Sequence, residues 1–294
     1  MATARLAGAL VLCVVFMIST VPEAKAEGEP DGSGQMFDTI AASYDMLNKI
    51  ISLGRDEAWR LDAIAELHMN EFLADVDPAV ETVRVLDVAT GTADVAIAVA
   101  ASTPPHVVID GIDPSINMLD LGREKVAAAG LRDRVTLQVA QSEMLPFEDE
   151  TFDFVTVSFG VRNFRDRLKG LGEIARVLKR HSRARLVILE LSEPTDGWLA
   201  PLARFFIHDI MPFVAGIISN HPKEYRYLQQ SLEAFPQPHK FGEILNDAGL
   251  VMVSHRRLAP FGAGPDLFVV RKLVPMQTEN AKEAQESAGI RDEL

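Results

Sequence analysis

A loop of small residues and an aspartate downstream of it form the pattern in this sequence best suited to binding a nucleotide. The loop, Ala89-Thr90-Gly91-Thr92-Ala93, follows an apolar run at residues 83–88 and precedes a helical pattern. A second apolar run, residues 107–112, ends in Asp113, which lies 22 residues beyond Gly91. Small side chains let a ligand approach the backbone closely, and an acid at this distance binds the hydroxyl groups of a ribose. An ordinary strand-to-helix turn is the alternative interpretation of the loop.

The composition of the loop indicates which nucleotide it would bind. Dehydrogenases need glycines where this chain has Ala89 and Ala93, because those glycines seat a pyrophosphate. A small-residue loop with a single glycine suits S-adenosylmethionine better, since that cofactor has no pyrophosphate. We therefore expect the ribose to bind Asp113 and the methionine part to lie along the backbone of residues 89–93. We expect Asp87, near the end of the first run, to orient the loop rather than contact the ligand.

The elements that would position this site alternate between strand and helix. Such alternation is typical of an α/β fold with a doubly wound, Rossmann-like sheet. The predicted strands span residues 83–88, 107–112, 134–139, 154–158, 185–190, 251–255 and 267–271. The predicted helices after the loop helix span residues 118–129, 168–178 and 241–248.

Two further segments are expected to cover the site. Residues 36–60 carry apolar side chains at helical spacing, which predicts either an amphipathic helix packed on the domain or a helical lid over the active site. Residues 199–232 are rich in large apolar residues and contain Pro201 and Pro212. Within this segment, residues 199–218 are predicted to form an inserted helical cap for an isoprenoid tail or a membrane-facing surface, with a buried core helix as the alternative.

Five ordered stretches of sequence carry a resemblance to a known family. They are Phe37-x-x-Ile40-Ala41-x-x-Tyr44-Asp45-x-x-Asn48 with Ser52-x-Gly54 and Trp59-Arg60; Leu86-Asp87-Val88-Ala89-Thr90-Gly91-Thr92-Ala93-Asp94; Leu145-Pro146-Phe147 leading to Phe152-Asp153; Ser158-Phe159-Gly160-Val161-Arg162-Asn163-Phe164; and Tyr225-Arg226-Tyr227-Leu228-x-x-Ser231. Over residues 36–272 the chain resembles the S-adenosylmethionine-dependent C-methyltransferases of ubiquinone and menaquinone biosynthesis. The resemblance implies a class I methyltransferase domain over these residues, with a polyprenylated benzoquinol or naphthoquinol as the substrate.

The resemblance also implies a set of cofactor contacts. The residues implied to contact S-adenosylmethionine are Gly91, Thr92, Asp113, Gln141, Ser142 and Ser158, with Gln141 and Ser142 beside the adenine. Three departures from the family pattern stand out. Gln141 replaces the usual Asp or Asn, residues 180–183 replace a Pro-Gly-Gly turn, and residues 261–268 lack a histidine common near the family's C-terminus.

The implied substrate assigns a role to two residues that follow the fourth predicted strand. A quinol ring carbon becomes nucleophilic once its phenol oxygen loses a proton. Arg162 would supply a permanent positive charge and Asn163 would hold a water molecule or a phenol oxygen, which makes them the candidate catalytic residues. A capping loop anchored by an exposed salt bridge is the alternative for this pair. Tyr44, Tyr225 and Tyr227 are candidates for the quinone pocket or, alternatively, half-buried packing residues.

Charge and composition restrict the function further. A net charge of −13 argues against nucleic-acid binding, which needs a clustered basic surface. The spacing of His208, His221 and His239 is not that of metal ligands, and no metal is expected. A methyltransferase of another small lipid, such as a sterol or tocopherol precursor, and a non-catalytic scaffold of a quinone-biosynthesis assembly are the alternative functions. A homodimer or such an assembly, and peripheral membrane contact, are further expectations.

The two termini carry targeting patterns. Arg5, the apolar residues 6–18 and Ala24-Lys25-Ala26 are typical of a secretory signal peptide cleaved after Ala26, with a membrane anchor as the alternative. The C-terminal Arg-Asp-Glu-Leu differs by one residue from a retention signal of the endoplasmic reticulum. We expect the mature enzyme in that compartment or in an endomembrane-derived organelle; the matrix side of the mitochondrial inner membrane is the alternative. Residues 27–35 are predicted to be a linker and residues 273–294 a disordered acidic tail.

Overall fold

The structure, a computed structural model, describes residues 33–52, 54–193, 204, 230–258 and 264–273. These residues belong to one compact unit, Gly32–Leu294. The predicted signal peptide, nearly all of the predicted cap and almost the whole predicted acidic tail lie outside the described residues. The candidate pocket residues Tyr225 and Tyr227 lie outside them as well.

A single mixed sheet forms the centre of the fold. Its strands are β1 (Val83–Val88), β2 (Val107–Asp113), β3 (Val135–Val139), β4 (Phe154–Ser158), β5 (Arg185–Glu190), β6 (Leu250–Arg257) and β7 (Asp266–Lys272), in the order β3-β2-β1-β4-β5-β7-β6. Strands β1 to β5 pair in parallel, whereas β7 runs antiparallel to both β5 and β6. The predicted doubly wound α/β sheet is confirmed.

Helices cover both faces of this sheet. They are α1 (Ser33–Ile51), α2 (Asp56–Ala65), α3 (Met69–Leu73), α4 (Asp94–Ser102), α5 (Ile116–Ala128), α6 (Arg167–Val177) and α7 (Pro238–Asp247), with a 3₁₀ turn at Val161–Asn163. Trp59 of α2 packs with α4 and Val187 on one face, and Phe241 of α7 packs with α6 and Phe268 on the other. Because the helices bury both faces of the sheet, polar side chains from different strands meet at its carboxyl edge.

That edge contains the crevice in which such folds bind ligands. Strand β1 lies between β2 and β4, so the order of the strands reverses direction between β1 and β4. Ligands of doubly wound sheets bind at the carboxyl ends of the strands at this reversal. Both the small-residue loop after β1 and the 3₁₀ turn after β4 leave the sheet there.

The N-terminal segment was predicted to be one helix but forms two. Residues 36–60 were expected to be continuous, but α1 ends at Ile51 and α2 begins at Asp56. Gly54 between them has a φ of +73°, a left-handed conformation that glycine adopts without steric cost and that ends helices. Helix α1 also begins at Ser33, within the predicted linker. None of the helices in the described part of the chain is long and apolar enough to cross a membrane.

Candidate active site

The carboxylate of Asp87 holds the small-residue loop in place. It is buried and accepts hydrogen bonds from Thr90 Oγ1 at 2.6 Å and from Thr156 Oγ1 at 2.7 Å. The loop needs such an anchor because Ala89 and Ala93 have φ values of +55° and +66°, which are strained for residues other than glycine. Asp87 therefore orients the loop as predicted, whereas its expected lack of contact with the ligand stays a prediction. Burial raises the pKa of this carboxyl group to about 6, against the two hydroxyl donors that lower it.

Asp113 connects the end of β2 to the same loop. Its Oδ2 accepts the backbone N–H of Gly91 and its Oδ1 that of Ser115, both at 2.9 Å. Burial raises the pKa of Asp113 to about 6, against these two N–H groups, which lower it. A carboxylate has about four acceptor positions, so two protein hydrogen bonds leave room for the two hydroxyl groups of a ribose.

A small cleft of about 30 Å³, open to solvent, lies beside the loop. Its lining residues are Tyr44, Arg60, Asp87, Ala89, Thr90, Gly91, Thr92, Asp94, Val95, Ser158 and Phe159. The structure therefore brings the predicted cofactor residues Gly91, Thr92 and Ser158 together with Tyr44 of α1. The half-buried ring of Tyr44 packs edge-on against Phe37, with 5.9 Å between the ring centroids.

The hydroxyl group of Thr92 is bonded to other side chains. It donates to Asp45 Oδ1 on α1 at 2.9 Å and accepts from Lys125 Nζ on α5 at 2.8 Å. Lys125 also pairs with Asp45 at 2.6 Å and with Asp94 at 2.7 Å. Thr92 therefore connects the N-terminal helix to the loop, and its expected contact with the cofactor stays a prediction. Sequence analysis missed this network, although Asp45 lies in a stretch that carried the resemblance.

Gln141 and Ser142 do not line this cleft as the described residues form it. Gln141 is exposed, whereas Ser142 is buried and donates its hydroxyl to Glu143 Oε2 at 3.0 Å. The adenine contacts expected of both residues stay predictions.

Arg162 lies in a buried ion pair. Its side chain is 5% exposed, and its Nη1 contacts Oε1 of Glu190, the fully buried last residue of β5. The backbone N–H of Arg162 also donates to Glu190 Oε2 at 3.1 Å. The alternative of an exposed salt bridge is therefore wrong. Glu190, which sequence analysis missed, balances the positive charge that Arg162 was expected to offer to a phenolate. The catalytic role of Arg162 stays a prediction.

Two polar atoms of the 3₁₀ turn are buried and have no hydrogen-bond partner among the described residues. They are the donor Arg162 Nε and the acceptor Asn163 Oδ1. The other end of the Asn163 amide, Nδ2, donates to the carbonyl oxygen of Phe159 at 3.3 Å. Because a buried polar atom costs free energy until it is hydrogen-bonded, this turn is suited to hold a phenol oxygen or a water molecule.

The sequence matches the family model of the ubiE/COQ5 methyltransferase family over residues 25–264. This chain belongs to that family. It is 41% identical over 221 residues to the ubiquinone/menaquinone biosynthesis C-methyltransferase UbiE of Geobacter sulfurreducens, covering 75% of this chain and 81% of that protein. It is 38% identical over 224 residues to the demethylmenaquinone methyltransferase of Bacteroides fragilis strain YCH46, covering 76% and 86%. The resemblance seen in the sequence is confirmed, and the chain is a methyltransferase.

Solved structures of low identity show the same fold. A SAM-dependent methyltransferase from Thermotoga maritima has a TM-score of 0.50 and 15% identity, covering 82% of this chain and 99% of its own. The [4+2]-cyclase SpnF has a TM-score of 0.52 and 16% identity, covering 82% and 96%. Because this fold also serves a cyclase, methyl transfer is assigned from membership of the ubiE/COQ5 family and not from the fold.

Proposed function

We propose that this chain transfers a methyl group from S-adenosylmethionine to a ring carbon of a polyprenylated benzoquinol or naphthoquinol, in ubiquinone or menaquinone biosynthesis. Its membership of the ubiE/COQ5 family carries the proposal. One relative, at 41% identity, is named for ubiquinone/menaquinone biosynthesis, and another, at 38% identity, is named a demethylmenaquinone methyltransferase. Mass spectrometry with both ring classes distinguishes a benzoquinol substrate from a naphthoquinol substrate.

The residues at the cleft fit S-adenosylmethionine. Asp113 is not part of the cleft lining but bonds to the loop that is, and it offers acceptors to ribose hydroxyl groups, which are donors. The loop of residues 89–93 presents backbone rather than bulky side chains. Ser158 and Tyr44 lie on the lining of the same cleft and would border the cofactor. When bound there, the cofactor supplies a methyl group on a positively charged sulfur.

Residues after β4 would orient the substrate. Transfer to a ring carbon forms a carbon–carbon bond while the sulfur–methyl bond breaks, and one proton leaves the ring. Asn163 Oδ1 and Arg162 Nε, both buried and unpaired among the described residues, would orient the phenol oxygen so that the ring carbon faces the methyl group. Such donors and acceptors act strongly because they are fixed in a site with little water.

The cellular location is part of the same proposal. The pattern of residues 1–26 supports entry into the secretory pathway and an endoplasmic or endomembrane-derived location, with the mitochondrial matrix as the alternative. The apolar residues 199–218 support peripheral contact with the membrane that holds a polyprenyl tail.

Two measurements test the function. Calorimetry with S-adenosylmethionine is expected to show binding, and the absence of binding would favour a non-catalytic scaffold. Mass spectrometry after incubation with a mixture of demethylated benzoquinols and naphthoquinols is expected to show a single added methyl group on one ring class. Methylation of a sterol or tocopherol precursor, with none of either quinol, would overturn the proposal.

A further inference from the structure

Three arginines and two buried carboxylates meet where β5 and β6 end and β7 begins. Glu190 and Asp266 are partners in the register of β5 and β7, and both are fully buried. Arg162 contacts Glu190, while Arg257 donates to both oxygens of Asp266, at 3.0 Å from Nε and 2.8 Å from Nη2. Each carboxylate therefore has its own arginine. The third arginine, Arg167, has no carboxylate of its own among the described residues.

Arg167 is held in place by contacts that include no direct ion pair among the described residues, although the charge of Glu190 acts on it from a distance. It is the first residue of α6, its guanidinium lies over the ring of Phe235 at 5.3 Å, and its Nε donates to the carbonyl oxygen of Val161 at 3.5 Å. No ion pair joins it to an acid within the described part of the chain. The side chain is half-buried, and burial lowers its pKa while the charge of Glu190 acts in the opposite direction. A guanidinium stays protonated in proteins, so Arg167 remains charged.

We infer that Arg167 binds the deprotonated ring oxygen of the quinol and supplies the positive charge that stabilises it. This inference rests on the proposed function. Arg162 cannot supply a net charge, because Glu190 balances it, whereas Arg167 follows Asn163 by four residues and adjoins the same turn through Val161. In the ionisation the phenol O–H bond breaks, its electron pair stays on oxygen and the proton passes to water.

A positive charge is useful here because a free phenol is hardly ionised at neutral pH. A phenol like that of tyrosine has a pKa of about 10, so little of it is ionised at neutral pH. A fixed cation in a site with little water lowers that pKa and stabilises the phenolate from which the ring carbon reacts. Asn163 Oδ1 accepts from the phenol O–H before it ionises, Arg162 Nε donates to the oxygen afterwards, and Arg167 balances the charge.

The experiment compares R167Q and R167M, which remove the charge, with R167K, which keeps it. R165Q is the matched control, because Arg165 is an exposed arginine of the same loop. Methylation of a short-chain demethylated quinol is followed as a function of pH from about 6 to about 10, around the pKa of a free phenol. The expected result is a loss of kcat/KM on the order of 10²-fold at neutral pH in R167Q and R167M. This deficit should shrink as rising pH ionises the phenol, with R167K intermediate and R165Q equal to the parent chain.

Several outcomes would overturn the inference. Parental rates in R167Q and R167M would show that the charge is not used, and a deficit that is the same at every pH would show a merely structural role. Should R167Q fail to fold, R167M carries the comparison, since its unbranched side chain can still pack on Phe235. A parent chain that methylates no quinol would overturn the proposed function and this inference with it, whereas an active parent chain with equally active variants would overturn the inference alone.

Discussion

At the scale of single residues, Asp113 has a raised pKa and is predicted to bind the ribose of the cofactor. Burial raises its pKa to about 6, and only the ionised form offers acceptors on both oxygens to a ribose. The affinity for S-adenosylmethionine should therefore increase as the pH rises through about 6 and level off above it. D113A should weaken binding by about 1.5–3 kcal/mol, the range for a hydrogen bond to a charged group, and lose this pH dependence. Calorimetry at several pH values measures both; unchanged affinity in D113A would remove Asp113 from the site.

The same raised pKa also affects the stability of the ligand-free protein. The pKa of Asp113 is higher in the folded chain than its ordinary value of 3.8, so between these values the folded state binds more protons than the unfolded state. The contribution of Asp113 to stability is thus present below about pH 4 and is lost as the pH rises through about 6. D113N, which cannot ionise, should gain stability relative to the parent chain over that interval, by about 3 kcal/mol at most. Urea denaturation of both chains at pH 4 and pH 7 checks the sign.

Arg162 is a residue whose replacement should affect folding as well as turnover. R162A would leave the carboxylate of Glu190 buried without its cation, and the loss of one partner of a buried pair costs about 3–5 kcal/mol. R165A, which alters an exposed arginine nearby, should change the free energy of unfolding by no more than about 0.5 kcal/mol. Denaturant titration compares the two variants. A cost below about 1 kcal/mol in R162A would contradict a buried, compensated pair.

At the scale of elements, helix α1 is attached to the cofactor loop by polar contacts. Asp45 pairs with Thr92 and Lys125, and near the start of the helix Asp38 accepts from Asn117 N at 3.1 Å. The Asp45 side chain is 37% exposed, so D45A should lower stability by only about 1 kcal/mol or less. Because α1 carries Tyr44 to the cleft, the same variant should increase hydrogen exchange in α1 and weaken cofactor binding.

The matched control for this attachment is D120A. Asp120 forms an exposed ion pair with Arg123 within α5, at 2.6 Å. Its removal should leave both the exchange of α1 and the cofactor affinity unchanged. Equal effects in D45A and D120A would mean that the Asp45 contacts do not hold α1 on the loop.

Two glycines differ in the space available for a side chain. A Cβ on Gly160 would stand 2.6 Å from Ala89 Cβ, because the turns after β1 and β4 approach closely there. G160A should therefore cost about 1–3 kcal/mol through overpacking. Gly172, on α6, has open space at the same position, so G172A should instead stabilise the helix by about 1 kcal/mol. Thermal unfolding gives both signs; a neutral G160A would show that the two turns can separate at little cost.

At the scale of the whole molecule, we predict that residues 1–26 direct the enzyme to its compartment. If residues 1–26 are a signal peptide, the mature chain begins at Glu27 and loses Cys13, the single cysteine of the sequence. N-terminal sequencing of the protein purified from its native cells is expected to give Glu27, and fractionation should place it with membranes or an organelle. An intact Met1 in a cytosolic fraction would contradict the targeting prediction.

Much of the fold and part of the site could be predicted because their signals are local in the sequence. Strands β1 and β4 are largely buried and therefore appear as short segments rich in valine, leucine and phenylalanine, which is why their bounds were predicted correctly. The loop residues and Asp113 are recognisable from residue types and spacing alone. The family could be identified for the same reason, since its motifs are short and ordered along the chain.

Tertiary structure alone decided which side chains meet across the carboxyl edge of the sheet. Arg162 and Glu190 are 28 residues apart in sequence, and Asp45 and Thr92 are 47 apart. No local periodicity relates such residues, because their contact depends on strand order and on how helices pack over the edge. The sequence by itself therefore determined a methyltransferase sheet with a cofactor loop. The fold determined that Glu190 balances the charge of Arg162, since only the pairing of β4 with β5 brings that carboxylate to the turn.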